Sequence, residues 1–410
     1  MKKFDIPVYY KSNLINKIKE LRKVNDPRKK DYSPALLEFG NFSVYLARHF
    51  GFCYGVENAI EIAYKAVDEN PGKRVFLISE MIHNPGVNED LTRYGVQFLT
   101  DTLGNEITPF SELTSDDVVI IPAFGTTIEI EQKLNALGVQ KYLYNTTCPF
   151  VEKVWKKSAQ LGEGDHTVVI HGKYNHEETR ATFSHTVKNA PAVIVKDMEE
   201  TKLLARFITG EIPGNEFYDM FAGRFSEGFD ADKHLVKVGV VNQTTMLATE
   251  TQEISDYLKE VMITKYGAEN IAHHYADTRD TLCYATNDNQ RATIELLNTD
   301  ADFAVVVGGY NSSNTTHIVE ILEEKFPVYY ISDESKIDDT GSISFYDIHK
   351  KEEVHSSLPG GIKSPKVVIT SGASCPDSVV ERVMGKLAEH YDAEFSIDAA
   401  INSYIESLTT

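Results

Sequence analysis

Three cysteines of this 410-residue chain occupy matching contexts: Cys53 in GFCYGVENAI, Cys148 in NTTCPFVEKVW and Cys283 in DTLCYATNDNQ. Each lies where a β-rich run gives way to a helix-like one. A thiol at a helix start feels the positive end of the helix dipole and nearby amides, which favour the thiolate that metals require. The Pro after Cys148 suits a first helical turn. One such cysteine alone reads as a small buried hydrophobe, and three in the same setting weaken that reading. Structural zinc sites usually present short paired spacings, whereas the gaps here are 95 (148 minus 53) and 135 (283 minus 148). An iron-sulfur cubane normally takes four thiolates, so three leave one iron without a protein ligand. Cys375 is the remaining candidate. Its setting, SGASCPD, offers a better anion pocket than a ligand loop, and it is set aside as a bystander.

A second constellation is polar and mostly neutral: His83 and Asn84 in EMIHNPGVN, His176 and Glu178 in KYNHEET, Thr244 and Thr245 in NQTTM, Ser312, Ser313 and Asn314 in YNSSNTT, and Ser374. Hydroxyls, imidazoles and helix N-terminal amides together can bind a diphosphate without a lysine-rich loop. Taken singly, each Ser, Thr or Asn is more often an N-cap than a ligand, so the argument is their number. Neither GxxxxGK[ST] nor GxGxxG occurs, which disfavours a nucleotide-triphosphate enzyme or a Rossmann dehydrogenase. Glu178 is the candidate proton donor, because a carboxyl in a closed site can give up a proton near neutrality. Periodicity alone favours a solvated first-turn glutamate at that position.

These residues need elements to hold them. Apolar β-rich runs (VFLIS, VVIIPAFG, YLYNTT, TVVIHG, VKVGVVNQ, FAVVVGG, VYYIS, VVITSG) alternate with helix-like stretches, including Val56 to Val67, Ile128 to Leu137, Glu250 to Tyr266, Thr316 to Phe326 and Asp377 to Glu389. That alternation predicts an α/β fold with ligands at the carboxyl ends of the strands. VVIHGKYNHEET (168–179) resembles VVVGGYNSSNTT (305–316), which suggests duplicated α/β units. The segments Phe207 to Leu235 and Asp333 to Lys366, rich in Gly, Ser and acidic residues, read as surface insertions.

Composition bounds the class. The chain is 42% hydrophobic and 25% charged, as an ordinary globular protein is, and its length suits two or three domains. Four cysteines without paired short spacing, no apolar signal segment, no membrane-length apolar run and a poor transit-peptide composition predict a cytoplasmic protein with reduced thiols. The net charge of -20 argues against nucleic acid. The charge is uneven, however. Residues 1–30 hold ten Lys or Arg against three Asp or Glu, which is +7, and the other 380 residues therefore carry -27. Such a run reads first as a solvated face and second as a docking patch for an acidic redox partner.

The motifs GFCYGV, IHNPGVN, TTCPFVEKVW, HGKYNHEET, NQTTM, LCYAT, GYNSSNT and ITSGAS, in this order from about Val44 to Lys386, closely resemble the 4-hydroxy-3-methylbut-2-enyl diphosphate reductase (IspH/LytB) family. PAFG, HGKYNHEET, NQTTML, the insertion before Leu235 and the long N-terminal extension resemble its plant and cyanobacterial branch. The resemblance implies three similar α/β domains in pseudo-threefold arrangement around a central [4Fe-4S] cluster held by Cys53, Cys148 and Cys283, with one open iron. The domains would be 44–147, 148–282 with the insertion near 207–235, and 283–390, between a basic extension 1–43 and a tail 391–410. It further implies diphosphate binding by His83, His176, Thr244, Thr245, Ser312, Ser313, Asn314 and Ser374, and proton delivery by Glu178 with Thr244 near the substrate hydroxyl. The reaction would be reductive dehydroxylation to isopentenyl and dimethylallyl diphosphate, the last step of the non-mevalonate isoprenoid pathway. The expected partners are that small diphosphate and a ferredoxin- or flavodoxin-type electron donor, with neither nucleic acid nor membrane. One position departs from the pattern: many bacterial members have His in an AHG motif that contacts the diphosphate, and this chain has Phe124 in AFG. The replacement contact is expected from Thr126, Thr127 or a nearby amide. Two rivals stand beside this reading. One is a quinolinate-synthase-like dehydratase, which would need basic groups for carboxylates. The other is a non-enzymatic iron-sulfur sensor or carrier, which would lack a lined pocket.

Overall fold

The computed structural model describes residues 4–139, 144–278 and 281–408, which group into two compact units. One unit comprises Met1–Glu57, His83–Val87 and Tyr284–Thr410, and the other Asn58–Ile82 and Asn88–Cys283.

The first unit is built on a five-stranded sheet in the order Ala35–Glu38, Ser43–Leu46, Lys366–Ser371, Phe303–Val307, Val328–Ile331. Its first pair is antiparallel and the remaining pairs are parallel. The strand FAVVV (Phe303–Val307), with a parallel neighbour on each side, is buried at every residue, as a parallel strand covered on both faces must be. The N-terminal extension is part of this core. Ser12 caps the helix Asn13–Asn25 by accepting the Ile15 N–H at 2.9 Å, and Leu14, Ile15 and Ile18 are buried. From the other end of the chain, Tyr404 on helix Ile397–Ser407 accepts a hydrogen bond from Arg22 Nε at 2.6 Å. The segment Asp333 to Lys366 forms the hairpin Ser342–Asp347 with Glu352–Ser357, whose second strand is largely exposed, in line with a surface insertion.

The second unit holds two parallel sheets. One runs Val96–Phe98, Val75–Leu77, Val118–Ile120, and the other Ala192–Val195, Thr167–His171, Val238–Asn242, Tyr275–Ala276. The α/β expectation therefore holds, with two corrections. The stretch Phe207 to Leu235 is no loose surface insertion. Phe217, Phe221 and Phe229 are buried in one cluster with Phe207, and Phe217 stacks on Phe221 at 4.8 Å and on Phe229 at 5.1 Å. Its Gly and acidic residues punctuate an aromatic segment whose apolar residues lack a regular period, so the composition masked a packed lobe. In YLYNTT, Tyr142 and Leu143 lie outside the described residues, and Asn145 forms a single parallel bridge with Ile121 in place of a strand.

Candidate functional site

Each cysteine of the trio begins a helix. Cys148 is the N-cap of Pro149–Glu163, Cys53 precedes Tyr54–Glu69 and Cys283 precedes Tyr284–Leu296. Backbone bonds fix their loops: Cys148 N–H donates to the Ala123 carbonyl at 2.9 Å, Cys53 N–H to Ala373 at 3.2 Å and Cys283 N–H to Thr244 at 3.2 Å. Ala373 and Thr244 belong to the loops that leave the buried strands Lys366–Ser371 and Val238–Asn242, and the Ala123 loop leaves Val118–Ile120, so the cysteines are held at strand carboxyl ends. None of the four cysteines is in a disulfide. Cys375 is fully buried, and burial pushes its thiol far up.

In the second unit, Cys148 sits among charges. Burial pushes its thiol up to about 11, the amides of Phe150 and Val151 act in the opposite direction, and Cys283 and Glu178 add to the rise. Helix-start amides alone do not make a free thiolate here, because burial outweighs them; a bound cation reverses that balance. Glu178 is 1% exposed, so the solvated-glutamate reading fails. Its Oε1 accepts the Thr244 N–H at 2.6 Å and its Oε2 the Thr244 hydroxyl at 2.9 Å. His176 caps the helix Glu177–Val187, its Nδ1 accepting the Glu178 N–H at 3.1 Å. With Nδ1 an acceptor, the neutral ring carries its proton on Nε2, a donor suited to an anion. The Phe124 ring meets that imidazole edge-on at 5.6 Å. Thr127 spends its hydroxyl capping Ile128–Ala136, which leaves buried Thr126 as the side chain of this loop not used as a cap.

Three positioning residues escaped the sequence reading. Gln243, fully buried, accepts from Thr179 Oγ1 (3.1 Å) and Lys173 N–H (3.2 Å) and donates to Thr245 Oγ1 (2.8 Å), which ties the Glu178 helix to the Thr244 loop. Asn242 and Thr281 exchange backbone and side-chain bonds of 2.6 to 2.9 Å two residues before Cys283. The available signal was the Asn-Gln pair closing an otherwise apolar strand, where buried amides must find partners.

In the first unit lie Cys53, His83, Ser312, Ser313, Asn314 and Ser374. Ser312 caps Ser313–Glu323, and Ser374 Oγ donates to the His83 carbonyl at 3.1 Å. Asn84 is spent as a cap, accepting the Val87 N–H at 3.1 Å. Asn314 is 3% exposed, and neither its Nδ2 nor its Oδ1 has a hydrogen-bond partner among the described residues. A buried amide with its whole bonding capacity unused points to a polar ligand. The two resembling segments share a local design: a Cβ on Gly172 would meet the Thr179 hydroxyl at 2.7 Å, and one on Gly308 would meet Thr315 at 2.8 Å. Glycine lets each helix start close against its strand end. Among the described residues, no three His, Cys, Asp or Glu gather tightly enough to hold one metal ion; a cubane differs in that its thiolates bind separate irons.

The 4-hydroxy-3-methylbut-2-enyl diphosphate reductase of Cyanothece sp. is 39% identical over 382 residues, 92% of this chain and 89% of that protein. The Synechocystis sp. enzyme of the same name is 39% identical over 393 residues, 95% and 98% of the two chains. A solved structure of (E)-4-hydroxy-3-methyl-but-2-enyl diphosphate reductase, described as the terminal enzyme of the non-mevalonate pathway, superposes with a TM-score of 0.52 at 25% identity over 84% of this chain and 99% of that one. Residues 44–388 match the family described as LytB protein, and the chain belongs to that family.

Proposed function

We propose that this chain reduces (E)-4-hydroxy-3-methylbut-2-enyl diphosphate to isopentenyl and dimethylallyl diphosphate, as the last step of the non-mevalonate pathway. Family membership supports the reaction, and the buried pair of Glu178 and Thr244 beside Cys148 and Cys283 is the observation that carries it. When bound, a [4Fe-4S] cluster held by Cys53, Cys148 and Cys283 supplies electrons and an open iron for the substrate hydroxyl. The donor set fits: three thiols outside any disulfide, each at a helix start, with amides directed at Cys148.

The chain's own groups do the rest. A protonated Glu178 donates to Thr244 Oγ1, and the threonine hydroxyl, donor and acceptor at once, passes its proton to the departing C4 hydroxyl so that oxygen leaves as water. Burial of Glu178 keeps bulk water from competing for that proton. His83, His176, Ser312, Ser313, Asn314 and Ser374 bind the diphosphate through imidazole, hydroxyl and amide donors, with Thr245 holding the Thr244 loop through Gln243. Thr126 or a nearby amide would replace the AHG histidine contact missing at Phe124, since Thr127 is used as a cap. The reaction runs in the cytoplasm, where the thiols stay reduced, with a ferredoxin- or flavodoxin-type protein as electron donor. Among the described residues no helix is long and apolar enough to cross a membrane.

The test compares three anaerobically reconstituted proteins. The parent consumes the substrate with an artificial reductant, Cys148→Ser holds less than a full cluster, and Glu178→Gln retains iron and sulfide yet loses at least about a hundredfold in turnover. A fully active Glu178→Gln protein would remove Glu178 from the mechanism.

A further inference from the structure

Outside the polar site, the first unit contains a cleft of about 550 Å³ whose wall includes Cys53. Its cations come from the N-terminal extension and the segment that follows: Lys19, Lys23, Lys29 and Arg48. Asn16, Lys19 and Lys23 recur at helical spacing on Asn13–Asn25, so one face of that helix forms a cleft wall. Over the described part of residues 1–30, the exposed cations are Lys11, Lys17, Lys23, Arg28, Lys29 and Lys30, against exposed Asp5 and Glu20. In a chain of net charge -20, this is a local inversion of sign.

The interior of the cleft is less basic than its rim. Lys19 is bound to Asp377 at 2.7 and 2.8 Å, and Glu57, Asp288 and Asp377 also line the wall, so the lining sums to four cations less three acids, or +1. A small polyanion inside would meet carboxylates, whereas an extended acidic surface laid across the rim meets the exposed lysines. Two half-exposed aromatics stand at the same place. Tyr54 and Tyr284 each follow a cysteine of the trio in the sequence, and the Tyr54 N–H donates to the Tyr284 hydroxyl at 3.0 Å. Phe4 backs Tyr54 edge-on at 4.9 Å. Rigid tyrosines ringed by cations are the composition of a protein-binding hot spot, with the charges setting the rate of encounter.

We propose that this cleft is the electron-entry face, where a small acidic one-electron carrier protein docks over Tyr54 and Tyr284 on the Lys23 and Lys29 rim. The proposal rests on the reading of Cys53 as a cluster ligand, since electron tunnelling requires the carrier's redox centre to come close to the acceptor and Cys53 forms part of the wall. Two reduced carriers are each oxidised by one electron per turnover. The two electrons and two protons break the substrate C–O bond, form one C–H bond and release water.

The test uses the full reconstituted chain with a reduced acidic [2Fe-2S] ferredoxin as one reductant and reduced methyl viologen as the other. The double variant Lys23→Glu/Lys29→Glu raises the KM for ferredoxin about tenfold and flattens its salt dependence, while viologen-driven turnover stays within about twofold. Lys23→Gln/Lys29→Gln shifts the KM less, in the same direction, and Lys350→Glu/Lys351→Glu on the hairpin leaves it alone. Direct binding of oxidised ferredoxin to the cluster-free chain follows the same order. Equal binding and equal KM for parent and Lys23/Lys29 variants, or an equal loss on the hairpin, overturns the proposal. Failure of the parent to consume substrate even with viologen would instead overturn the reductase reading, while the binding series still tests the surface.

Discussion

Glu178 and Thr244 share two hydrogen bonds, and the two ends of that pair fail differently. On the proposed mechanism, removing the acid would stop proton delivery, whereas Thr244→Val would delete only the hydroxyl relay and leave the backbone N–H on Oε1. Turnover of Thr244→Val should fall about tenfold to a hundredfold with iron content unchanged, measured against Glu178→Gln in the same assay. The motif KYNHEET marked Glu178 as a candidate, but its burial was not legible there, because a glutamate in a first helical turn is ordinarily solvated. The partner that holds it lies at Thr244, 66 residues away in sequence, which no local period reports.

At the scale of the element, the loop that carries Phe124 depends on Gly125. Its φ is +76°, and a Cβ there would lie 2.6 Å from the Trp155 ring, which stacks on His185 at 3.7 Å. Gly125→Ala therefore combines a strained backbone with a displaced ring, and costs about 1–3 kcal/mol. Trp155 is the only tryptophan, so its emission spectrum reports the displacement directly. Strand Val118–Ile120 is anchored at its start by Asp117, which accepts from Arg74 and from Thr114. These hydrogen bonds hold its carboxyl below the usual carboxylate range even though burial opposes them. A depressed acid contributes stability above its unfolded pKa, lost as pH falls through the folded one. Asp117→Asn should thus be less stable than the parent at pH 7, with the difference closing below about pH 4, as followed by thermal melting. Strands were legible where apolar runs were continuous; short ones such as Val96–Phe98, and the aromatic lobe near Phe217, were not, since tertiary contacts define them. Phe217→Ala should cost about 3–5 kcal/mol in denaturant titrations, as a surface insertion would not.

For the whole molecule, the order of the cysteine and polar motifs along the chain was readable from sequence, and so was the α/β class. The N-terminal extension looked like a basic appendage because its lysines dominate its composition, yet Leu14, Ile15 and Ile18 bind it into a core. That makes its cations part of a defined surface. The most direct test of the central claim is a single turnover: protein reconstituted without oxygen, reduced, mixed with (E)-4-hydroxy-3-methylbut-2-enyl diphosphate, and quenched for product analysis. The account predicts about four irons and four sulfides per chain and formation of both isopentenyl and dimethylallyl diphosphate. Intact substrate after mixing with a fully loaded, reduced protein would contradict it.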